Sequence, residues 1–238
     1  MLAGAHAGRE SWRLDLPHGV DPAEAVAAAV RAATGRVRIA ALPLPRAVRE
    51  SSGHLVLTYE MPAPCPPPTA ALMVRVAQPR HAPGLVIGAD ERAPAVQRVA
   101  ASVLVWSDDA LLATRYSGTT SAPGAWALPG GGVDPHEDPR AGARRECWEE
   151  TGQSVLVGEL VRVFSRHWIG RAPSGRLEDF HALSLVFAAH CPHPCEPVVH
   201  DIGGSTADAA WVARADVPGL GWAVAHRWVG ESVPPARA

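Results

Sequence analysis

Four glutamates and one arginine fall close together near the middle of this chain: Glu137, Arg145, Glu146, Glu149 and Glu150. On a helix, Glu146, Glu149 and Glu150 stand at i, i+3 and i+4, which puts their Cβ atoms about 5–6 Å apart on one face. Like charges so placed repel and weaken the helix unless a cation lies among them. An all-oxygen donor set favours a hard divalent ion such as Mg²⁺, Mn²⁺ or Ca²⁺. Arg145 reaches Glu149 at i+4 and can hold its carboxylate in position. Just upstream, Gly130-Gly131-Gly132 lets the backbone approach a ligand closely. Glu137 stands at the junction of loop and helix, where it adds another carboxylate. The plainer alternative is a solvated acidic helix carrying one ion pair.

The elements that must position these groups are readable around them. Asp138-Pro139 has the form of an N-cap and first helical turn, the helix runs to about Thr151, and Gly152 stops it. Val99–Trp106 and Ala110–Tyr116 flank a turn at Ser107–Asp109 and predict a hairpin. Val155–Ser165, His181–His190 and Ala210–Ala213 predict further strands, and Gly221–Val229 a closing helix. Strands interleaved with two helices make a mixed-sheet domain over residues 97–238.

Residues 1–96 have a different texture. Ser11–Leu16 is a short extended candidate, and Asp21-Pro22 caps a predicted helix Ala23–Thr34 that Gly35 ends. Arg36–Leu42, His54–Tyr59 and Ala71–Ala77 predict strands. Pro62–Thr69 is too proline-rich for ladder or helix, and Gln78–Gln97 reads as a long connector. The result is a small α+β N-terminal region without a chemical motif.

Gly131, Glu137 and the run Arg145-Glu146-Cys147-x-Glu149-Glu150-x-Gly152 match the Nudix box, G-x5-E-x7-R-E-U-x-E-E-x-G-U. Seven fixed letters coincide by chance in about one chain in a million of this length. The chain therefore resembles the Nudix hydrolases from about Gln97 to Val229. One position departs: the last apolar letter of the box is Gln153 here. Cys147 fills the earlier apolar slot and reads as core.

The resemblance implies an α/β/α sandwich with a mixed sheet. It also implies metal-dependent hydrolysis of a pyrophosphate bond in a nucleoside diphosphate linked to another moiety: a nucleotide sugar, an ADP-ribose-like compound or a (d)NTP. Glu146, Glu149 and Glu150 would be the metal carboxylates, the Gly130 carbonyl a further ligand, and Glu137 an assistant directly or through water. Arg145 would orient a glutamate without touching substrate. The cofactor would be Mg²⁺, with Mn²⁺ as substitute. A box glutamate or a loop acid would deprotonate the attacking water. Glu178, in Arg176-Leu-Glu-Asp179, is the loop candidate, ahead of Glu196, Asp201 and Asp208. Two other readings stand beside this one: a Nudix module that senses a nucleotide without cleaving it, and a hydrolase of a non-nucleotide diphosphate. Many Nudix enzymes are homodimers, and nothing in this chain decides that point.

Substrate choice is less legible. Subfamily markers about sixteen positions beyond the box are a proline or a tyrosine; Trp168 and Ile169 occupy that region, with Pro173 further on. Trp168 could stack on a base, and Arg166, Arg171 and Arg176 flank the same loop and could clamp phosphates. His190, Cys191, His193 and Cys195, with His200 to complete a set, have the residue types of a zinc site, but two prolines stiffen that segment, and a loop between strands is expected.

Composition bounds the rest. The chain has 238 residues, 47% of them hydrophobic and 19% charged, enough to bury a core. A net charge of −2 argues against stable nucleic-acid binding. All 22 basic residues are arginine, which fits codon bias better than a functional choice. No apolar run approaches the roughly 18 residues of a membrane span, and the first ten residues hold no apolar core of an export signal. Four cysteines are too few for a disulfide scaffold, so a reducing cytoplasm is expected.

Overall fold

A computed structural model of the chain describes residues 2–3, 13–34, 44–49, 54–61, 78–172 and 174–233. The chain divides into two units: Met1–Ala100 with Arg162–Leu185, and Ala101–Val161 with Val186–Ala238. The division does not follow a single point in the sequence. Three long strands, β6 (Ala95–Ser107), β10 (Leu156–Arg171) and β11 (Leu177–His190), contribute residues to both units. No helix among the described residues is long and apolar enough to cross a membrane.

The second unit holds the box. Its strands run in the order β12–β7–β6–β11–β10, where β7 is Ala110–Tyr116 and β12 is Thr206–Ala213. Two short strands join it: β8 (Trp126–Ala127) on β7 and β9 (Gly130–Gly132) on β6. Strand β12 lies antiparallel to β7 from Ala213 opposite Ala110 to Thr206 opposite Tyr116, with an irregularity near Asp208. Leu111, Leu112 and Ala113 are consecutive and all fully buried, so β7 is covered on both faces. The expected hairpin is present and longer than predicted on its first arm. β10 and β11 likewise extend beyond their predicted ends, because β-branched and aromatic residues continue through Arg162–Ile169.

The closing helix departs from expectation. Residues 221–223 run beside Trp126 in a parallel bridge, with Trp126 N–H on the Gly221 carbonyl and Ala223 N–H on that of Trp126. That backbone is therefore spent, and the helix α3 spans only Arg227–Ser232. A 3₁₀ turn at Val217–Gly219 precedes it, and the Trp222 indole donates to the Val217 carbonyl.

In the first unit, β1 (Leu2–Ala3), β2 (Arg13–Leu14), β3 (Arg46–Arg49) and β4 (Leu55–Thr58) form a small sheet ordered β2–β1–β4–β3. Helix α1 (Pro22–Thr34) buries Ala25, Val26, Ala29 and Val30, a 3.6-residue stripe. Its N-cap is Asp21, whose Oδ1 accepts from the Ala23 and Glu24 amides. A two-residue strand, β5 (Arg80–His81), pairs in parallel with Trp168 and Ile169 of β10 inside the expected connector. The predictions over residues 36–42, 62–69 and 71–77 lie outside the described residues.

Candidate functional site

The box helix α2 is Pro139–Thr151. The Asp138 side chain accepts from the Arg140 amide, and Gly152 closes the other end at φ 69°, returning its N–H to the Trp148 carbonyl. Both ends are thus those the sequence dictates. Gly142, Ala143, Cys147, Glu150 and Thr151 form the buried face. Glu150 therefore turns inward, while Glu146 and Glu149 flank that face.

Arg145 organises the other carboxylates. Its Nε and Nη2 donate to Oε1 and Oε2 of Glu137, each at 3.0 Å. Nη1 donates to Glu146 at 2.8 Å and to Glu149 at 3.0 Å, and Nη2 also reaches the Gly132 carbonyl at 2.9 Å. One planar cation so joins three glutamates and the glycine strand. The Glu137 hydrogen bonds push the Arg145 pKa up, with Glu146 contributing. Glu146 is itself held above the usual carboxylate range by burial, which Arg145 partly opposes.

Glu150 has its own partners. It is 3% exposed; the Gly130 amide donates to Oε2 at 2.8 Å and the Thr206 hydroxyl to Oε1 at 2.5 Å. Burial pushes its pKa up to about 7 despite those two donors. Four carboxylates against one guanidinium leave this cluster with excess negative charge whenever the acids are ionised.

The glycines make room for it. Gly130 sits at φ +152°, and a Cβ there would lie 2.4–2.5 Å from Ala101 O and Ser102. A Cβ on Gly131 would meet the Glu146 carboxylate at 2.5 Å. The glycine strand therefore lies against the acidic cluster.

A loop closes the C-terminal end of α2. The His200 and Asp201 amides both donate to the Glu149 carbonyl, and Val198 N–H to that of Thr151. The His200 ring stacks on Trp148, centroids 4.6 Å apart. Asp201, ranked low from sequence, is thereby tied by its backbone to a box glutamate, and its charge acts on Glu150. No spacing rule links positions 149 and 201, so only the fold reveals the pair.

Gln153, the departure from the box, is 1% exposed. Its amide nitrogen donates to the Thr151 and Cys195 carbonyls, and its oxygen accepts from the Cys195 amide at 3.1 Å. A buried amide thus pins the following loop where the pattern has an apolar contact. The Cys191 and Cys195 thiols also lie against that oxygen, and neither belongs to a metal-ready group among the described residues. Cys147 is fully buried, its thiol pushed up to about 12, as a core residue should be.

Of the remaining candidates, Glu196 and Asp208 belong to the second unit, whereas Arg166, Arg171, Arg176 and Glu178 belong to the first, with Glu178 on strand β11 and not in the expected loop. Glu178 is almost fully buried and accepts from Arg176 at 2.7 Å. Arg171 is committed to Glu91 in a two-pronged pair and to the Val86 and Gly175 carbonyls. Arg166 lies over the Trp168 ring, which packs against Phe180 at 4.4 Å.

A family profile for the NUDIX domain matches residues 96–229. Nucleoside triphosphatase NudI of Escherichia coli O81 is 32% identical over 126 residues, covering 51% of this chain and 85% of that protein. A MutT-like protein of Streptomyces ambofaciens is 45% identical over 64 residues, covering 27% of this chain and 39% of its own. The m7GpppN-mRNA hydrolase NUDT17 of Bos taurus is 30% identical over 146 residues, covering 56% of this chain and 47% of its own. The chain thus spans less than half the length of these last two relatives. Among solved structures, a MutT Nudix hydrolase from Burkholderia pseudomallei is 26% identical, covering 58% of this chain and 99% of that one at TM-score 0.44. With the box intact and the profile spanning more than half the chain, this protein belongs to the Nudix hydrolase family and carries its mixed-sheet α/β sandwich.

Proposed function

We propose that this chain hydrolyses a pyrophosphate bond in a nucleoside diphosphate derivative or nucleoside triphosphate, with Mg²⁺ as cofactor and Mn²⁺ as substitute. One observation carries the reading: Glu137, Glu146 and Glu149 converge on Arg145, with Glu150 donor-bound beside Gly130. Such a set has more negative charge than its own cation balances. Its donors are all oxygen, and the Glu146 carboxylate packs against Gly131 where a Cβ would stand. These features fit a hard divalent ion.

Glu146, Glu149, Glu150 and the Gly130 carbonyl would hold the ion, with Glu137 adding a carboxylate. When bound, it neutralises the polyphosphate, lowers the pKa of water and stabilises charge on the leaving phosphate. Arg145 positions Glu137, Glu146 and Glu149, and has no donor role toward substrate. Thr206 and Gly130 fix the Glu150 oxygens. A carboxylate takes the proton of the attacking water: Glu149, or Asp201 from the loop tied to the Glu149 carbonyl.

NudI, 85% of whose own length is covered, is named a nucleoside triphosphatase, which supports placing (d)NTPs first among substrates. The test is product release from (d)NTPs, nucleotide sugars, ADP-ribose, dinucleoside polyphosphates and prenyl diphosphates, with and without Mg²⁺. Metal-dependent cleavage of one nucleotide class supports the reading. Cleavage of prenyl diphosphates alone moves the substrate outside nucleotides. Tight nucleotide binding with no product makes the chain a sensing module instead.

A further inference from the structure

Three histidines and an aspartate meet in the first unit, away from any box residue in sequence. His18 lies in the turn Pro17–Val20, His167 on β10, and Asp179 and His181 on β11. The Nε2 atoms of His18 and His167 both approach the same oxygen, Oδ1 of Asp179, at 3.1 Å and 2.5 Å. All three ligand atoms fall within 4.8 Å of one another, the one such group among the described residues. The His18 and His167 rings stand edge to face at 5.0 Å, and His181 lies edge-on to both, at 5.5 Å and 6.1 Å.

The protein's own hydrogen bonds do not complete this cluster. His167 Nδ1 and His181 Nε2 are buried without a partner. His181 is fully buried, and the Gln97 side-chain amide donates to its Nδ1 at 2.7 Å, which leaves the proton of the neutral ring on Nε2. One carboxylate oxygen serves two imidazoles here, and two further imidazole nitrogens remain unused.

The scaffold is rigid. Val20 N–H closes the His18 turn on the Pro17 carbonyl, and Val20 itself is buried. Asp21, which caps α1, also accepts from Ser165 on β10. The Asp179 amide donates to the Pro94 carbonyl. Ligands carried on such supports are held in place before an ion arrives.

We propose that His18, His167 and Asp179 form a site for a borderline divalent cation, Zn²⁺ by preference. Two imidazoles and a carboxylate are the donors that Zn²⁺, Co²⁺ or Fe²⁺ take and that Mg²⁺ does not favour. Tetrahedral zinc with bonds of about 2.0–2.1 Å places its ligand atoms roughly 3.3 Å apart. The His18–Asp179 distance already fits, and the His167 ring needs to retreat by less than about 1 Å. The ion would join a turn near the N-terminus to two strands far along the chain, so it fastens this unit together. The site is independent of the proposed hydrolysis, since its residues and its metal chemistry differ from those of the box.

The test uses untagged full-length protein, stripped with chelator and titrated with Co²⁺ in excess Mg²⁺, which occupies the box. The expected result is one Co²⁺ per chain with visible ligand-field bands, no thiolate charge-transfer band, and displacement by Zn²⁺. His18→Gln, at a partly exposed turn, and Asp179→Asn should each weaken Co²⁺ binding by at least about 100-fold, while Glu149→Gln leaves it unchanged. Circular dichroism confirms that each variant folds, and His167→Gln replaces any that does not. Absence of the bands, bands unaffected by His18→Gln, or a thiolate band pointing to Cys191 and Cys195 would each overturn the proposal.

Discussion

Arg145 grips Glu137 with two parallel hydrogen bonds, both 3.0 Å, across eight residues of chain. Two carboxylates on its own helix share the same guanidinium. The box arginine is thus a hub for three glutamates, beyond the single i+4 partner that helical spacing offers.

Lysine cannot reproduce that hub, because a single ammonium lacks the fork that meets both Glu137 oxygens. Arg145→Lys should lower kcat/KM by about 10–100-fold, and Arg145→Ala by more. Steady-state kinetics with unfolding curves on each variant check this. The loss should appear in turnover without a matching loss of fold.

The neighbouring glycines separate folding from function. A Cβ on Gly130 meets backbone at φ +152°, so Gly130→Ala should cost more than about 2 kcal/mol of stability. A Cβ on Gly131 meets first the carboxylate end of the Glu146 side chain, with no backbone atom nearer. Gly131→Ala should therefore stay within about 1 kcal/mol of wild type yet lose about 100-fold in turnover, as a displaced catalytic group does. Denaturant unfolding and initial rates on the pair give both numbers.

Gln153→Leu restores the apolar letter of the box and leaves the Cys195 amide without its acceptor. The expected cost is about 1–3 kcal/mol, measured by chemical unfolding. A neutral or stabilising result would show that the amide does not anchor the loop.

Helix α2 was fully legible because both its ends are encoded locally, by Asp138-Pro139 and Gly152. The box residues followed for the same reason: they lie within one loop and one helix. Gln153 could not be read, since its partner Cys195 is 42 residues away. Thr206 on Glu150 and Asp201 behind Glu149 depend on strand and loop placement that no local pattern specifies. The helix predicted at Gly221 failed because a tertiary bridge to Trp126 overrode propensity. The histidine cluster was invisible for a related reason: His18 and Asp179 are 161 residues apart, and no motif joins them.

Arg171 fixes the ionisation of Glu91 at the surface. Its hydrogen bonds, with the Gly88 amide second, hold the Glu91 pKa down to about 2 from an ordinary 4.5. A depressed carboxylate contributes stability in full above its unfolded pKa and loses it as pH falls through the folded value. The pair should therefore persist through pH 4.5 and dissolve only toward pH 2. A carboxyl-carbon NMR titration should show that low midpoint, and Arg171→Gln should return it toward the ordinary glutamate range.

In the proposed reaction the Glu149 and Glu150 carboxylates act with Mg²⁺ in pyrophosphate hydrolysis. The direct test is product formation by wild type and by the Glu149→Gln/Glu150→Gln double variant, each with Mg²⁺ and with chelator, on the best substrate of the panel. Turnover is expected only for wild type with Mg²⁺, while the double variant remains folded and loses at least about 1,000-fold. A folded double variant turning over at the wild-type rate would contradict it.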